Sequence, residues 1–191
     1  MAASSGRTRR WTRLEYERLV DAGFFHGEPI ELIGGELLVS EPQGNPHAVA
    51  VTLTEDALRV AFGAGWVVLE EKPIAPDDDS EPEPDVCVVP GAPRDYLGGH
   101  PARPVLVVEV AGSSLVWDRE HKGSLYARAG ITDYWIVNLV DRVLEVYRRP
   151  LSDMAAPFGW RYESVETFRP PASVSPLARP GAQVTVADLL P

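Results

Sequence analysis

The chain has 191 residues, of which 45% are hydrophobic and 24% charged, and its formal net charge is -10. This length fits one domain with a sizeable core, and no apolar run approaches the roughly 20 residues that a membrane span needs. The single cysteine, Cys87, excludes an internal disulfide and a cysteine-rich zinc site, and it favours a reducing, cytoplasmic compartment. The acidic charge argues against a broad nucleic-acid surface, although the N-terminal arginines and Arg148-Arg149 leave a local basic groove open.

Turn residues and hydrophobic periodicity divide the chain into alternating elements. Residues 1–10 have the composition of a disordered lead, and nothing in residues 11–191 marks a second domain. We predict a helix from Thr12 to Gly23, a hairpin of 30–33 and 36–39, a helix of 46–62 capped by Asn45, strands at 66–70, 85–89 and 105–110, a helix of 118–130, a hairpin of 134–138 and 143–147, and a strand of 160–168. Residues 170–191 are predicted to form a proline-rich, irregular tail.

One carboxylate interrupts the most apolar strand. Glu109 lies among the aliphatic residues of the run 105–110, where its burial would cost several kcal/mol unless it is paired or binds a cation. In the next helix, Lys122 shares the face that packs on the sheet with Leu125 and Tyr126, although a lysine there can also extend to water. Asp85 opens the neighbouring apolar strand. If the three converge, each charge offsets the desolvation of the others.

Two carboxylates and a lysine are the groups that metal-dependent phosphodiester hydrolysis requires. Asp85 and Glu109 are hard oxygen ligands suited to magnesium or manganese, and the backbone carbonyl of Val110 is a candidate third ligand. Lys122 would orient the attacking water and stabilise the charge that develops on the phosphate. We therefore predict a metal site at Asp85 and Glu109, with Lys122 as the third catalytic residue.

Other titratable residues have more ordinary interpretations. Glu31 alternates with apolar residues and is predicted to face solvent, and Glu36 is either a surface residue or close to the metal. His47, in the first turn of a helix, is either a surface or capping residue or part of the active site. The run Asp77-Asp78-Asp79 lacks the ligand spacing of a calcium loop and is predicted to be a solvated acidic tip. Cys87 is predicted to be a small buried strand residue.

The order of these residues resembles the PD-(D/E)xK nuclease superfamily, in a variant that carries the lysine on the helix after the central strand. More closely, the chain is similar to the bacterial Uma-two (Uma2) family of restriction-endonuclease-like proteins. The matching segments are 31–37, 83–86, 106–110, 118–122, 126–127 and 130–137, and the tail at 175–177 and 189–190 fits as well. The chain departs from the family pattern at 111–115, where the usual Ser-Pro-Ser-Thr run is absent, and at Asn138, where aspartate is common.

This resemblance implies an α/β (α+β) fold with a restriction-endonuclease-like core, in which helices flank a mixed β-sheet. It also implies magnesium as the cofactor and DNA as the substrate. The leading hypothesis is a metal-dependent endonuclease, which would act as a homodimer if a double-strand break needs two sites. The alternatives are a nuclease-fold binding or regulatory module with little or no activity, and a metal-dependent hydrolase of smaller phosphoesters.

Overall fold

The computed structural model describes residues 8–40 and 42–191. Of the predicted disordered lead, residues 1–7 lie outside the described residues. Arg9 and Arg10, by contrast, contact the Glu15 carboxylate and the Gly34 carbonyl. Among the described residues, no helix combines the length and the apolar character needed to cross a membrane.

Helices and strands alternate along most of the chain. In order they are α1 (Arg13–Asp21), β1 (Ile30–Ile33), β2 (Glu36–Val39), α2 (Asn45–Phe62), β3 (Trp66–Glu70), β4 (Val86–Pro90), a 3₁₀ turn (Pro93–Tyr96), β5 (Leu106–Ala111), α3 (Leu115–Trp117), a π-helical turn (Asp118–Lys122), α4 (Gly123–Arg128), β6 (Asp133–Asn138), β7 (Val143–Ser152), β8 (Trp160–Phe168), β9 (Ser173–Val174), β10 (Val184–Thr185) and a final 3₁₀ turn (Val186–Leu189). The helical segments between β5 and β6 form one continuous run.

A six-stranded mixed sheet lies at the centre of the protein. Its strands follow one another in the order β3-β4-β5-β6-β7-β8. Strands β5 and β6 are parallel, and the other neighbours are antiparallel. A parallel pair needs a long crossover, which the helical run 115–128 supplies, so this run must lie against one face of the sheet. The hairpin β1–β2 forms a separate two-stranded sheet.

Helices cover both faces of the sheet, as the resemblance predicted. On one face, α2 packs its buried residues on Val108 and Val110 of β5. On the other face, Tyr126 and Ala127 of α4 pack with Val107. Because side chains alternate along a strand, Glu109 lies on the same face as Val107, beneath the helix that carries Lys122.

Most predicted elements are present within a few residues of their predicted bounds, and four differ. Strand β7 continues to Ser152, five residues beyond its predicted end. The cap of α2 is Gly44, not Asn45, and no side chain caps this helix. The helix predicted to start at Asp118 begins at Leu115, because Asp118 accepts a hydrogen bond from the Ser114 hydroxyl inside the helix instead of capping its end. The tail is not irregular throughout. Its strands and final 3₁₀ turn carry apolar residues that join the core under α2.

Candidate active site

Strand pairing brings Asp85 and Glu109 together. Strands β4 and β5 are antiparallel with Val86 opposite Val108, so Asp85, the residue before β4, lies next to Glu109. The Asp85 carboxylate accepts a hydrogen bond from the Val110 amide at 2.6 Å, and the Asp85 amide donates to Glu109 Oε2 at 3.4 Å. The two predicted acids therefore lie in one place, at the carboxyl-terminal end of β5.

Lys122 reaches the same place from the helix that covers the sheet. Its Nζ lies 3.1 Å from Glu109 Oε1 and 3.7 Å from Glu31 Oε2, and only 8% of the residue is exposed. It closes the π-helical turn that begins at Asp118, and such turns occur frequently at functional sites. The structure thus brings together all three residues that the sequence predicted as catalytic.

Tyr126 fixes the orientation of the buried glutamate. Its hydroxyl donates to Glu109 Oε1 at 2.6 Å, and both side chains are buried. The sequence placed Tyr126 on the packing face one turn after Lys122 but gave it no role at the site. Because Lys122 and Tyr126 both contact Oε1, the Glu109 carboxylate is held with its other oxygen towards Asp85.

Glu31 belongs to the site, and the prediction that it faces solvent is wrong. The residue is 5% exposed. Its carboxylate accepts hydrogen bonds from the Ser40 hydroxyl at 2.8 Å and the Glu83 amide at 3.0 Å, besides its contact with Lys122. The alternation of polar and apolar residues along β1 does not correspond to a solvent-exposed face and a buried face, because three of its four residues are buried. Glu36 on β2 is exposed, which agrees with the surface interpretation.

Two further polar side chains border the carboxylates. His47, in the first turn of α2, is 7% exposed, and its Nε2 lies 3.2 Å from Asp85 Oδ2. Burial alone would lower the pKa of His47. The hydrogen bond with Asp85 and the negative charge of Asp85 have the opposite and larger effect, so the pKa of His47 lies above its usual value. Asp118 is 3% exposed and accepts a hydrogen bond from Ser114 at 2.6 Å. Of the two interpretations of His47, its position fits the active-site one.

Negative charge exceeds positive charge at this site. Burial raises the pKa of Glu109 well above its usual value. The positive charge of Lys122 lowers this pKa, and the negative charge of Asp85 raises it. Burial likewise raises the pKa of Asp118 to about 6. Burial would lower the pKa of Lys122, but Glu109, Glu31 and the two aspartates outweigh that effect and raise it. The lysine therefore stays charged, in a pocket that is costly for the carboxylates.

The donor atoms suit a hard cation with a partly aqueous shell. In the part of the chain that the structure describes, no three His, Cys, Asp or Glu side chains form a metal-holding cluster. An all-protein cage is therefore not available among those residues, whereas magnesium takes one or two carboxylates and keeps several waters. Residues on a strand direct their amide and carbonyl to the same side, and the Val110 amide points at Asp85. The two carboxylates and the Val110 carbonyl fit magnesium or manganese.

Two charged groups that the sequence left on the surface are tied into the fold. The acidic run is not a solvated tip, because the Arg128 guanidinium contacts Asp77 at 2.7 Å and Asp79 at 2.6 Å. Arg148, a candidate for nucleic-acid contact, binds the buried carboxylate of Asp133 at 2.8 Å. These arginines stabilise loops and strands, so they contribute little free positive charge.

Asn138 and Cys87 have structural positions. The Asn138 amide is buried and donates to Asp141 at 2.9 Å and to Glu145 at 2.8 Å, so its role is structural. Cys87 is fully buried in β4, as predicted, and burial raises the pKa of its thiol to about 12. It lies in the apolar layer under α4 and takes no part in the site.

Comparisons with known proteins agree with this arrangement. The sequence profile of the family described as "Uma2: Putative restriction endonuclease" matches residues 14–187. The structure is similar to the crystal structure of a protein described as a putative nuclease belonging to DUF820, from Anabaena variabilis, with a TM-score of 0.60 and 15% sequence identity over 84% of this chain and 88% of that chain. This likeness confirms the predicted fold class. No curated protein matches the chain.

Proposed function

The chain belongs to the Uma2 family, whose description is "Putative restriction endonuclease", and from this membership and the site geometry we propose that it is a metal-dependent endonuclease acting on DNA. One observation carries the proposal. Glu109, at the end of the central strand of a nuclease-type fold, contacts both Asp85 and Lys122, which are distant from it in sequence.

The two acids would hold a divalent cation, magnesium or manganese. Glu109 Oε1 is engaged by Tyr126 and Lys122, so Oε2, which has one long hydrogen bond, is its free ligand atom. Asp85 Oδ2 is engaged by Val110 and His47, and Oδ1 accepts no hydrogen bond from the residues that the structure describes. When bound, the cation would supply Lewis-acid polarisation of the phosphate and of a water molecule.

Lys122 is the protein's own electrophilic group. Its ammonium has three N–H donors and is ion-paired with Glu109 at 3.1 Å and with Glu31 at 3.7 Å, the second beyond hydrogen-bond distance. A donor is therefore available to orient a water molecule or to meet the developing charge on the phosphate. Glu31 and Glu109 hold Nζ from two sides. We infer that Glu31 is a positioning residue, which keeps the ammonium at the edge of the carboxylate pair.

A nuclease-fold binding or regulatory module with little activity is the second candidate. Two observations favour it: the formal net charge of -10, and the fact that Lys122 is already paired with two carboxylates. In such a module the buried charges would fix the packing of the helix on the sheet. The two candidates differ in whether metal binding is followed by phosphodiester cleavage.

Calorimetric titration with Mn²⁺ and a plasmid-nicking assay with Mg²⁺ separate these candidates. We expect binding and nicking in the wild type and loss of both in Asp85→Asn and Glu109→Gln. The matched control is Asp56→Asn, which removes an exposed acid of α2 outside the site. Metal binding without nicking would refute the endonuclease activity and favour the second candidate, and the absence of metal binding would refute a metal role for the acids. Conversion of nicked to linear plasmid would support a homodimer with two sites.

A further inference from the structure

One cavity is lined by residues that neighbour Lys122 and Glu31 along the chain. It has a volume of about 310 Å³ and opens between the β1–β2 hairpin and the helical run after β5. We call it the hairpin pocket. Its lining includes Arg10, Ile33, Leu38, Trp117, His121 and Phe158. Its volume falls at the small end of the range for ligand sites, and three of the side chains that line it are flat rings.

A stacked ring pair forms one wall of the hairpin pocket. The rings of Trp117 and His121 lie one helical turn apart, nearly parallel at 9°, with their centroids 4.0 Å apart. Trp117 Nε1 and His121 Nδ1 are buried and have no hydrogen-bond partner among the described residues. A buried donor without an acceptor is energetically unfavourable, but both nitrogens are inaccessible, so a ligand acceptor would pair with Trp117 Nε1 only if the wall shifted to expose it.

The hairpin pocket and the active site share two structural elements. Trp117 comes directly before Asp118 in the helical run, and His121 comes directly before Lys122. The ring pair and the site residues therefore lie on adjacent faces of the same helical turn. On the opposite wall, Ile33 lies two residues after Glu31 on β1, the residue that contacts Lys122. A ligand in the pocket would therefore lie next to the proposed cleavage site.

We propose that the hairpin pocket binds one unstacked nucleobase of the nucleic acid that is cleaved at the Lys122 site; this rests on the proposed function. A nucleobase is flat, stacks on aromatic rings and carries hydrogen-bonding groups in its plane. Arg10 also lines the pocket. Its guanidinium contacts the Gly34 carbonyl and lies 3.5 Å from the exposed Glu36 carboxylate, so a phosphate would have to replace Glu36 as its partner. A protein with a net charge of -10 gains little from neutralising many phosphates, so stacking supplies affinity that charge does not.

Binding of a fluorescein-labelled oligothymidylate, measured by anisotropy in EDTA, tests the proposal without cleavage. The comparison ligand is the same oligomer with abasic sites, which keeps the phosphates and lacks the bases. We expect the wild type to bind the base-bearing oligomer about 5- to 150-fold more tightly, as stacking of one base predicts. Trp117→Ala should abolish this preference, and Trp117→Phe should retain most of it. Phe24→Ala, which removes an exposed aromatic outside the pocket, should change nothing.

Two results would overturn the inference. One is equal affinity of the wild type for the two oligomers, including no binding of either. The other is a Trp117→Ala variant, shown to be folded by its thermal unfolding, that retains the preference. Plasmid nicking is scored separately. If the protein prefers bases but does not nick DNA, the pocket proposal stands and the nuclease proposal is refuted. If it nicks DNA without a base preference, the nuclease proposal stands and the pocket proposal is refuted.

Discussion

Removing the charge of Lys122 should destabilise the fold strongly, because the residue is the nearest cation to two buried carboxylates. Coulomb's law with an effective dielectric constant of about 20 gives an attraction of about 5 kcal/mol at the 3.1 Å that separates Nζ from Glu109. In the wild type, the cost of desolvating the ammonium and the carboxylate cancels much of this attraction. In the variant, Glu109 is still desolvated but has lost its attraction to the lysine. We therefore expect Lys122→Met to lower the free energy of unfolding by about 3 to 5 kcal/mol.

Urea unfolding of the metal-free protein in EDTA measures this loss, and a double-mutant cycle isolates the pair. Glu109→Gln alone should also destabilise, since it leaves the ammonium with Glu31 as its nearest partner. The double variant Lys122→Met/Glu109→Gln should cost less than the sum of the single variants by about 2 kcal/mol or more. The control Lys72→Met changes an exposed lysine and should fall within about 0.5 kcal/mol of the wild type.

Additive costs in this cycle would refute the reasoning, because they would mean that the lysine and the glutamate do not interact. A Lys122→Met variant as stable as Lys72→Met would refute it as well, since the carboxylates would then be solvated or protonated without help from the lysine.

Three further variants test other parts of the structure, each by urea unfolding. Burial raises the pKa of Glu81 to about 7, above its usual value near 4.5, so the wild type should lose stability as the pH rises through this interval. The Glu81→Gln variant should not show this loss of stability, and near pH 8 it should be more stable than the wild type by about 1 to 3 kcal/mol. Equal pH profiles of stability in the variant and the wild type would contradict the prediction. Asn138→Asp replaces a buried amide donor by a carboxylate facing Glu145 and should cost about 2 to 4 kcal/mol near pH 8 and less near pH 5; the same cost at both pH values would argue against repulsion. Gly34→Ala adds a Cβ at φ +56°, against the ring of Phe158, and should cost about 2 to 4 kcal/mol, whereas an unchanged stability would show that the ring yields.

The elements that rest on local interactions could be predicted from the sequence. The capping box of Thr12 and Glu15 is present at the start of α1, and Gly34-Gly35 turns the β1–β2 hairpin with positive φ at both residues. Each involves residues a few positions apart, so its physics is complete in a short stretch of sequence. Glu109 could be singled out for a related reason, since a charge inside an apolar strand requires a partner wherever the strand lies.

What the sequence could not predict depends on how distant segments pack. Glu31 has the alternating pattern of a half-exposed strand, but β1 lies against the site and is buried on both sides. Asp77 and Asp79 form part of a charged run typical of solvent, but Arg128, about fifty positions later, binds both. His47 could be placed in a first helical turn, and its contact with Asp85 depends on how α2 lies on the sheet. None of these partners can be identified without the tertiary structure.

The charge balance of the site favours chemistry over packing as the reason for its buried ions. Four carboxylates, those of Glu31, Asp85, Glu109 and Asp118, lie near one lysine, and burial keeps the pKa values of Glu109 and Asp118 above their usual values despite its charge. A fold that needed only a filled interior would be served at least as well by apolar residues, because replacing a whole buried ion pair is often neutral or stabilising. A divalent cation would supply the missing positive charge at the atoms that lack donors. If the double variant Lys122→Met/Glu109→Gln regains the stability that either single variant loses, the fold does not need the pair, and the pair's presence is then explained by what it binds.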